Sequence, residues 1–230
     1  IGVSDARVLA VIGVSFVNLQ GGIVFDCDGN LYITNNLDDE PDDQDSILVL
    51  TPQGALSIFV TEQEINAATG LNSTDLDTGM TFFGNSLYVL DDGECDCALK
   101  ITLAGQISVL VSEAQIVAAT GNGGADVEGG IAVNQFAEVF IGDDGDKPDA
   151  SNLIMSTPNG SSVSLLVTNQ ELVDFYALFE PQLEGSMAFE GVDACEVPQV
   201  PTLSEWGLIA MAGVLGIVGF MVARRRMVKA

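Results

Sequence analysis

The chain has no histidine among its 230 residues. The usual general base, proton shuttle and transition-metal ligand is therefore missing, which argues against serine, cysteine and zinc hydrolase chemistry. Basic side chains are scarce as well: seven Lys and Arg stand against 33 Asp and Glu, for a net charge of −26. A nucleic-acid backbone needs a basic surface, so that class of partner is set aside. Ile1 is preceded by no methionine, basic n-region or cleavage site, so an export leader is expected to have been removed or to belong to a missing upstream part. Disorder is excluded in turn, because 47% of the residues are hydrophobic and the mean hydropathy is +0.35. What remains is a secreted or surface binding module, a calcium-using protein, or a carboxylate enzyme.

The charge falls into two regimes. Residues 1–200 hold 32 acids against Arg7, Lys100 and Lys147, whereas residues 201–230 hold Glu205 against Arg224, Arg225, Arg226 and Lys229. Between the last two groups run 17 uncharged residues, Gly207 to Ala223. At about 1.5 Å per residue they reach roughly 25 Å, enough to cross a bilayer core. Trp206 and the three arginines are the anchors expected at the two interfaces, and the positive-inside rule puts 224–230 in the cytoplasm and 1–200 outside. A buried core helix is the alternative, and the arginine cluster directly after the apolar run speaks against it.

Just before this span stands Pro201-Thr202-Leu203-Ser204-Glu205-Trp206-Gly207, preceded by Val200. The order of motif, apolar helix and arginine-rich end closely resembles the IPTL-CTERM protein-sorting domain of Gram-negative bacteria, over about residues 200–226. The resemblance implies a sorting signal recognised, and cleaved near the motif, by a membrane-embedded exosortase-type transpeptidase, after which the ectodomain reaches the cell surface. Without that processing the segment is a membrane anchor. The division expected is an ectodomain over 1–196, a linker and motif over 197–206, a transmembrane helix over 207–223 and a basic tail over 224–230.

The N-terminal regime repeats. Thr51-Pro52-Gln53-Gly54 recurs as Thr102-Leu103-Ala104-Gly105 and Thr157-Pro158-Asn159-Gly160. A capping-box pattern follows each turn, at Thr61 to Glu64, Ser112 to Gln115 and Thr168 to Glu171. Gly22, Gly79 and Gly130 each open an alternating run. Each unit reads as strand a (22–25), a hairpin turn, strand b (31–35), an acidic loop, strand c (47–50), the Thr-x-x-Gly turn, strand d (55–60) and a short helix near 61–69. The units are bounded at about 21–77, 78–128 and 129–184.

A four-stranded meander of about 50 residues is the unit of a β-propeller blade. The fold class expected is thus all-β: a β-propeller-like array of four-stranded blades, three full units plus partial ends, with short inter-blade helices and one C-terminal transmembrane helix. The ectodomain also resembles NHL and regucalcin-like propellers, including the turn Asp26-Cys27-Asp28-Gly29-Asn30 before Leu31-Tyr32-Ile33. An irregular β-sandwich is the alternative. Ser4 to Leu19 is expected to supply strands c and d of a further blade, and Ser186 to Phe189 its strand a. Joined, they would close a four-bladed ring; the preferred account is that the chain is the C-terminal part of a longer propeller.

The acids gather in equivalent loops between strands b and c: Asp38, Asp39, Asp42, Asp43 and Asp45; Asp91 and Asp92; Asp143, Asp144 and Asp146. Closely spaced carboxylates suit Ca²⁺, which needs several converging oxygens, although none has EF-hand spacing. The alternative is a solvated acidic coat. A second set, Gln20, Asp77, Glu128 and Glu184, lies beside the glycine that opens each strand a, where a propeller's innermost strands begin, and could ring a central channel. Resemblance to regucalcin-like lactonases, which hold a divalent metal there, carries over a glutamate ligand to Glu128 and Glu184. Cys27, Cys95, Cys97 and Cys195 suit an oxidising compartment; three pairings are open, and Cys27 with Cys195 would staple the ends of the array.

Together these features point to an exported, membrane-anchored protein with a periplasmic or extracellular ectodomain, sorted to the cell surface, that binds a matrix or polysaccharide and is not an enzyme. A metal-dependent lactonase-like hydrolase and a self-associating structural surface component are the alternatives. The partners expected are the exosortase-type enzyme, the membrane and an extracellular polymer; the only cofactor is Ca²⁺.

Overall fold

The computed structural model describes residues 4–13, 18–37, 45–145, 151–176, 187–189, 192 and 194–195. It is mostly β: three four-stranded antiparallel sheets with a few short helices, an arrangement consistent with a propeller-like fold. Sheet 1 holds β1 (Ile23–Phe25), β2 (Leu31–Asn35), β3 (Ser46–Leu50) and β4 (Leu56–Thr61) in meander order. Sheet 2 holds β5 (Met80–Phe83), β6 (Ser86–Asp91), β7 (Cys97–Thr102) and β8 (Ile107–Val111). Sheet 3 holds β9 (Ile131–Val133), β10 (Val139–Asp143), β11 (Asn152–Ser156) and β12 (Val163–Val167). Four helices, α1 (Asp5–Ile12), α2 (Glu62–Thr69), α3 (Glu113–Thr120) and α4 (Asn169–Tyr176), each have eight residues.

The repeat extends to irregularities. The pairing of third and fourth strands shifts register at Ile47/Leu48, Ala98/Leu99 and Leu153/Ile154, one bulge per sheet at the same place. Each bulge leaves one extra residue in the outer strand, Phe59, Leu110 and Leu166. The Thr-x-x-Gly turns close identically, with Gly54, Gly105 and Gly160 donating N–H to the carbonyls of Thr51, Thr102 and Thr157. The threonine hydroxyl accepts the N–H of Ala55, Gln106 or Ser162, so this side chain fixes the turn in all three units. Helix starts follow the capping pattern: Glu64 and Glu171 accept the N–H of Thr61 and Thr168, and Gln115 that of Ser112.

The inner strands β1, β5 and β9 lie beside one another. One apolar core fills the space between sheets 1 and 2, with Tyr32, Ile47, Met80, Phe82, Leu87 and Leu99 among its members. A second fills the space between sheets 2 and 3, with Tyr88, Leu90, Ile131, Val139 and Ile154. The approach at the centre leaves no room for side chains: a Cβ on Gly22 would stand 2.2 Å from Met80 Cβ.

The expectation for Ser4 to Leu19 is corrected. Asp5–Ile12 is helical, so it cannot supply strands c and d. Ser4 stands extended at its N-cap, Asp5 sits in the first turn, and Gly13 ends it in the left-handed region at φ 78°. Val8, on the face shared with Ile12, is fully buried. Short apolar runs fit either period, and here the two caps decide for the helix. α1 packs on β4 as α2 packs on β8 and α3 on β12. Arg7 donates to the Gly54 carbonyl at 2.6 Å, and Gln115, one turn into α3 as Arg7 is into α1, donates to the Gly160 carbonyl at 2.8 Å. At the other end Met187–Phe189 forms no strand, and Phe189 instead meets Phe140 edge to face, centroids 4.8 Å apart. The two segments therefore form no composite fourth blade among the described residues.

Cys27 is bonded to Cys195 and Cys95 to Cys97. The first bridge ties the β1–β2 turn to a segment whose Ala194 carbonyl accepts the Gly84 N–H from the β5–β6 turn at 2.7 Å. No helix among the described residues is long and apolar enough to cross a membrane; residues 201–230, with the expected span and motif, lie outside them.

Two turn glycines give unequal outcomes. A Cβ at Gly160 would meet the Leu110 carbonyl oxygen at 1.8 Å, whereas one at Gly105 meets nothing within 4 Å, although both have positive φ. Gly105→Ala should cost about 1 kcal/mol in denaturant unfolding, from backbone strain alone. Gly160→Ala should cost about 3 kcal/mol or more, since the turn must leave sheet 2. Equal losses would contradict this docking. Removing the Cys27–Cys195 bridge with paired Ser substitutions should cost about 2–5 kcal/mol in the same assay.

Candidate acidic site at the mouth of the inner strands

The acids that sequence grouped together separate into three kinds. Asp45, Asp91 and Asp143 are buried and bonded inward. Asp45 Oδ1 accepts the Leu37 N–H at 2.7 Å and its Oδ2 the Leu76 N–H at 2.9 Å, joining the start of β3 to the loop before β5. Asp91 Oδ1 accepts the N–H groups of Asp75 and Gly93. Asp143 Oδ1 accepts the Asp126 N–H and its Oδ2 the Asn122 amide. Burial pushes the Asp143 carboxyl above its ordinary value, against the pull of these hydrogen bonds. These three residues are not a solvated coat; they hold backbone amides.

Asp92 forms the second kind. It follows β6, and its Oδ1 accepts the Val127 N–H at 3.2 Å from the loop before β9. One oxygen each of Asp92, Asp126 and Glu128 lie within 4.8 Å of one another. Burial, followed by the charges of Asp126, Asp96 and Glu128 and a hydrogen bond with Asp96, pushes the Asp92 carboxyl up to about 8. Asp96 is held in the left-handed region at φ 39° between Cys95 and Cys97, whose disulfide closes this short loop. Four carboxyl groups thus converge where one must keep a proton at neutral pH or share a cation. Oxygen donors at this spacing fit a hard divalent ion such as Ca²⁺, which takes several carboxylate and carbonyl oxygens; the sulfurs nearby are bonded to each other and do not compete.

The equivalent junction between sheets 1 and 2 replaces one carboxylate with an amide. Asn36 stands where Asp92 does, and its amide donates to Asp75 Oδ1 at 2.6 Å, Asp75 standing where Asp126 does. An amide facing a carboxylate is satisfied without proton or metal. The second junction has a carboxylate in both places.

The third kind lies apart. Asp77, the counterpart of Glu128, is exposed and outside the three-carboxylate group, its N–H bonded to Asp75 Oδ1. Asp144 accepts from the Ser151 hydroxyl. Among the described residues, the expected ring of Gln20, Asp77, Glu128 and Glu184 is represented in the cluster by Glu128. Asp38, Asp39, Asp42, Asp43, Asp146 and Glu184 lie outside the described residues. The sequence reading missed Asp75 and Asp126. The signal for both was present: Asp75-Leu76-Asp77-Thr78-Gly79 and Asp126-Val127-Glu128-Gly129-Gly130 place an acid two residues before the one singled out.

With this geometry in place, comparisons with known proteins add a C-terminal match. The family model of the IPTL-CTERM motif matches residues 198–226. No curated protein matches the chain. Among solved structures, a calcium-binding protein, regucalcin, from Agrobacterium tumefaciens is similar at 12% identity and a TM-score of 0.42, over 67% of this chain and 45% of that one. The chain thus spans less than half the length of that structure.

The raised carboxyl makes a signed prediction. Folding draws a proton onto Asp92 between its ordinary value of 3.8 and about 8, so the folded state binds more protons than the unfolded state there. Its contribution to stability accordingly falls as pH rises through that window and is level above it. Asp92→Asn keeps an acceptor for Val127 and removes the charge. In a metal-free chelating buffer it should melt with the parent near pH 4 and several degrees above it past pH 8, at about 2–4 °C per kcal/mol. Parallel pH profiles would contradict the carboxyl cluster.

Proposed function

We propose that this chain is an exported bacterial surface protein whose propeller-like blades bind an extracellular polymer and whose C-terminal segment is a sorting signal. The observation that carries this reading is the match of residues 198–226 to the IPTL-CTERM motif. The motif suggests a sorted surface protein handled by an exosortase-type enzyme. The motif from Pro201 stands directly before the apolar run from Gly207 to Ala223, which is bounded by Arg224, Arg225 and Arg226, the order such a signal requires. The acidic, histidine-free composition supports binding over catalysis.

The test is the intact mass of the product recovered from the surface of cells that carry the exosortase-type enzyme. The expected product lacks the segment that follows the motif, and Pro201→Ala with Trp206→Ala keeps full mass and stays in the membrane fraction. A full-mass surface product from the parent chain would refute sorting by cleavage.

Ca²⁺ is the cation proposed for Asp92, Asp126 and Glu128, whose oxygens already converge. At a hundredfold excess over Kd it should stabilise the folded state by about 2.7 kcal/mol. The melting midpoint should rise with Ca²⁺, less with Mg²⁺, and not at all in Asp92→Asn. An equal response of parent and variant would refute the assignment. Glu128 is also the residue to which the lactonase resemblance carries a metal ligand, which favours hydrolysis as the second reading. That reading requires Ca²⁺-dependent opening of small lactones, lost in Glu128→Gln.

A further inference from the structure

The connection between the second and third strands is shortest, and covalently closed, in the middle sheet. It runs over 36–45 in sheet 1, 92–96 in sheet 2 and 144–151 in sheet 3, and the Cys95–Cys97 disulfide lies in the second. Strand register fixes the counterparts at its end: Ser46, Cys97 and Asn152 pair with the last residues of the strands before them, Asn35, Asp91 and Asp143. Asp45, Asp96 and Ser151 are therefore equivalent. So are Asn36, Asp92 and Asp144 at its start.

These equivalent residues bond differently. In sheet 1 Asp45 turns inward and accepts the Leu76 N–H from the loop before β5, while Asn36 meets Asp75. In sheet 3 the Ser151 hydroxyl donates to Asp144, a neutral donor on a carboxylate. In sheet 2 a second carboxyl stands where that hydroxyl does: Asp96 is hydrogen-bonded to Asp92 and adds its charge to the cluster. The Val127 N–H, counterpart of the Leu76 N–H, is accepted by Asp92 Oδ1 at 3.2 Å. Charge repulsion opposes this placement of Asp96. So does its backbone, at φ 39° in the left-handed region that disfavours a residue with a Cβ. What holds Asp96 there is the ring closed through both its neighbours.

We propose that the Cys95–Cys97 disulfide is a redox switch on the cation site: closed, it keeps Asp96 in the carboxyl cluster, and reduced, it lets Asp96 take up the place of Asp45, accept the Val127 N–H and withdraw its charge. This rests on the reading of Asp92, Asp126 and Glu128 as a Ca²⁺ site. The reductant is a dithiol. Cys95 is 8% exposed and Cys97 fully buried, so the incoming thiolate attacks the Cys95 sulfur, the bond between the two cysteines breaks, and Cys97 leaves as a thiolate that takes up a proton. The second thiol of the reductant then displaces Cys95, which is protonated in turn; two electrons and two protons have passed to the chain and the reductant has become a disulfide. With Asp96 withdrawn, one of four carboxyl groups no longer attracts the cation and its affinity falls. By linkage, bound Ca²⁺ resists reduction by the same factor.

The test uses the full chain in mild detergent, with Cys95→Ser plus Cys97→Ser as the opened form. Serine is the residue that sheet 1 has at this place, Ser46, and the Cys27–Cys195 bridge is kept. By calorimetric titration the opened form should bind Ca²⁺ roughly tenfold more weakly than the parent. Cys27→Ser plus Cys195→Ser should keep the parent's Kd until a dithiol reduces its remaining bridge, and then show the same loss with no substitution at the cluster. Asp96→Asn with the bridge intact should weaken binding by a similar factor and add nothing further in the opened form. Circular dichroism reports that each variant is folded. A second measurement needs no cation. In metal-free chelating buffer past pH 8, Asp92→Asn should raise the melting midpoint of the parent by several degrees and that of the opened form by about half as much or less. Equal gains would overturn the switch, as would an opened form with the parent's Kd. A parent that shows the unequal gains but binds no Ca²⁺ would refute the cation reading and keep the switch.

Discussion

Each unit is organised by one buried acceptor at the end of its second strand. Asn35, Asp91 and Asp143 are fully buried, and each accepts the N–H of a loop residue that precedes the inner strand, Asn18, Asp75 or Asp126. A buried polar oxygen without a hydrogen bond is costly, so the loop is held in one place. The backbone bond returned by the same loop residue, from its carbonyl to the next residue after the second strand, closes the clasp. The inner strand is thereby set at the distance from its neighbour at which only glycine fits at Gly22, and in sheets 2 and 3 the apolar positions of the inner strand meet the preceding sheet. The acceptor is an amide in the first unit and a carboxylate in the others; what all three share is the oxygen.

Much of the acidity therefore has internal work. Asp45, Asp91 and Asp143 are bonded to backbone amides, and Asp26 organises a turn by accepting the N–H groups of Asp28 and Asn30 and the hydroxyl of Tyr32. Although burial opposes it, those bonds from Asn30, Asp28 and Tyr32 hold the Asp26 carboxyl below its ordinary value, and burial with the Asp26 charge pushes the tyrosine up to about 12. Asp92, Asp126, Glu128 and Asp96 are gathered against one another as well. Their mutual repulsion, set against the Asn36–Asp75 pair one junction earlier, is what singles the site out from an otherwise acidic surface.

The strands were legible in the sequence because turn and cap chemistry recurs: Thr51, Thr102 and Thr157 close their turns, and Thr61, Ser112 and Thr168 open their helices, where the pattern placed them. Residues 31–35 were read to the residue. The first helix was misread, since Leu9, Val11 and their neighbours suit both periods and the caps Ser4 and Gly13 went unweighed. The site was half legible. Spacing found Asp92 and Glu128, but which carboxylates face backbone amides and which face each other depends on inter-sheet packing that no local pattern encodes. Asp91 and Asp92, adjacent in sequence, end in opposite roles because successive residues leave a strand on opposite sides.

The central claim is that buried acceptors clamp the loops before the inner strands. Amide hydrogen exchange of the full chain, resolved at Asp75 and Asp126, tests it most directly. The account predicts that both loop amides exchange as slowly as those of β6 and β10, and that Asp91→Ala frees Asp75 while leaving Asp126 slow. Exchange of both at the rate of an open loop in the parent chain would contradict it.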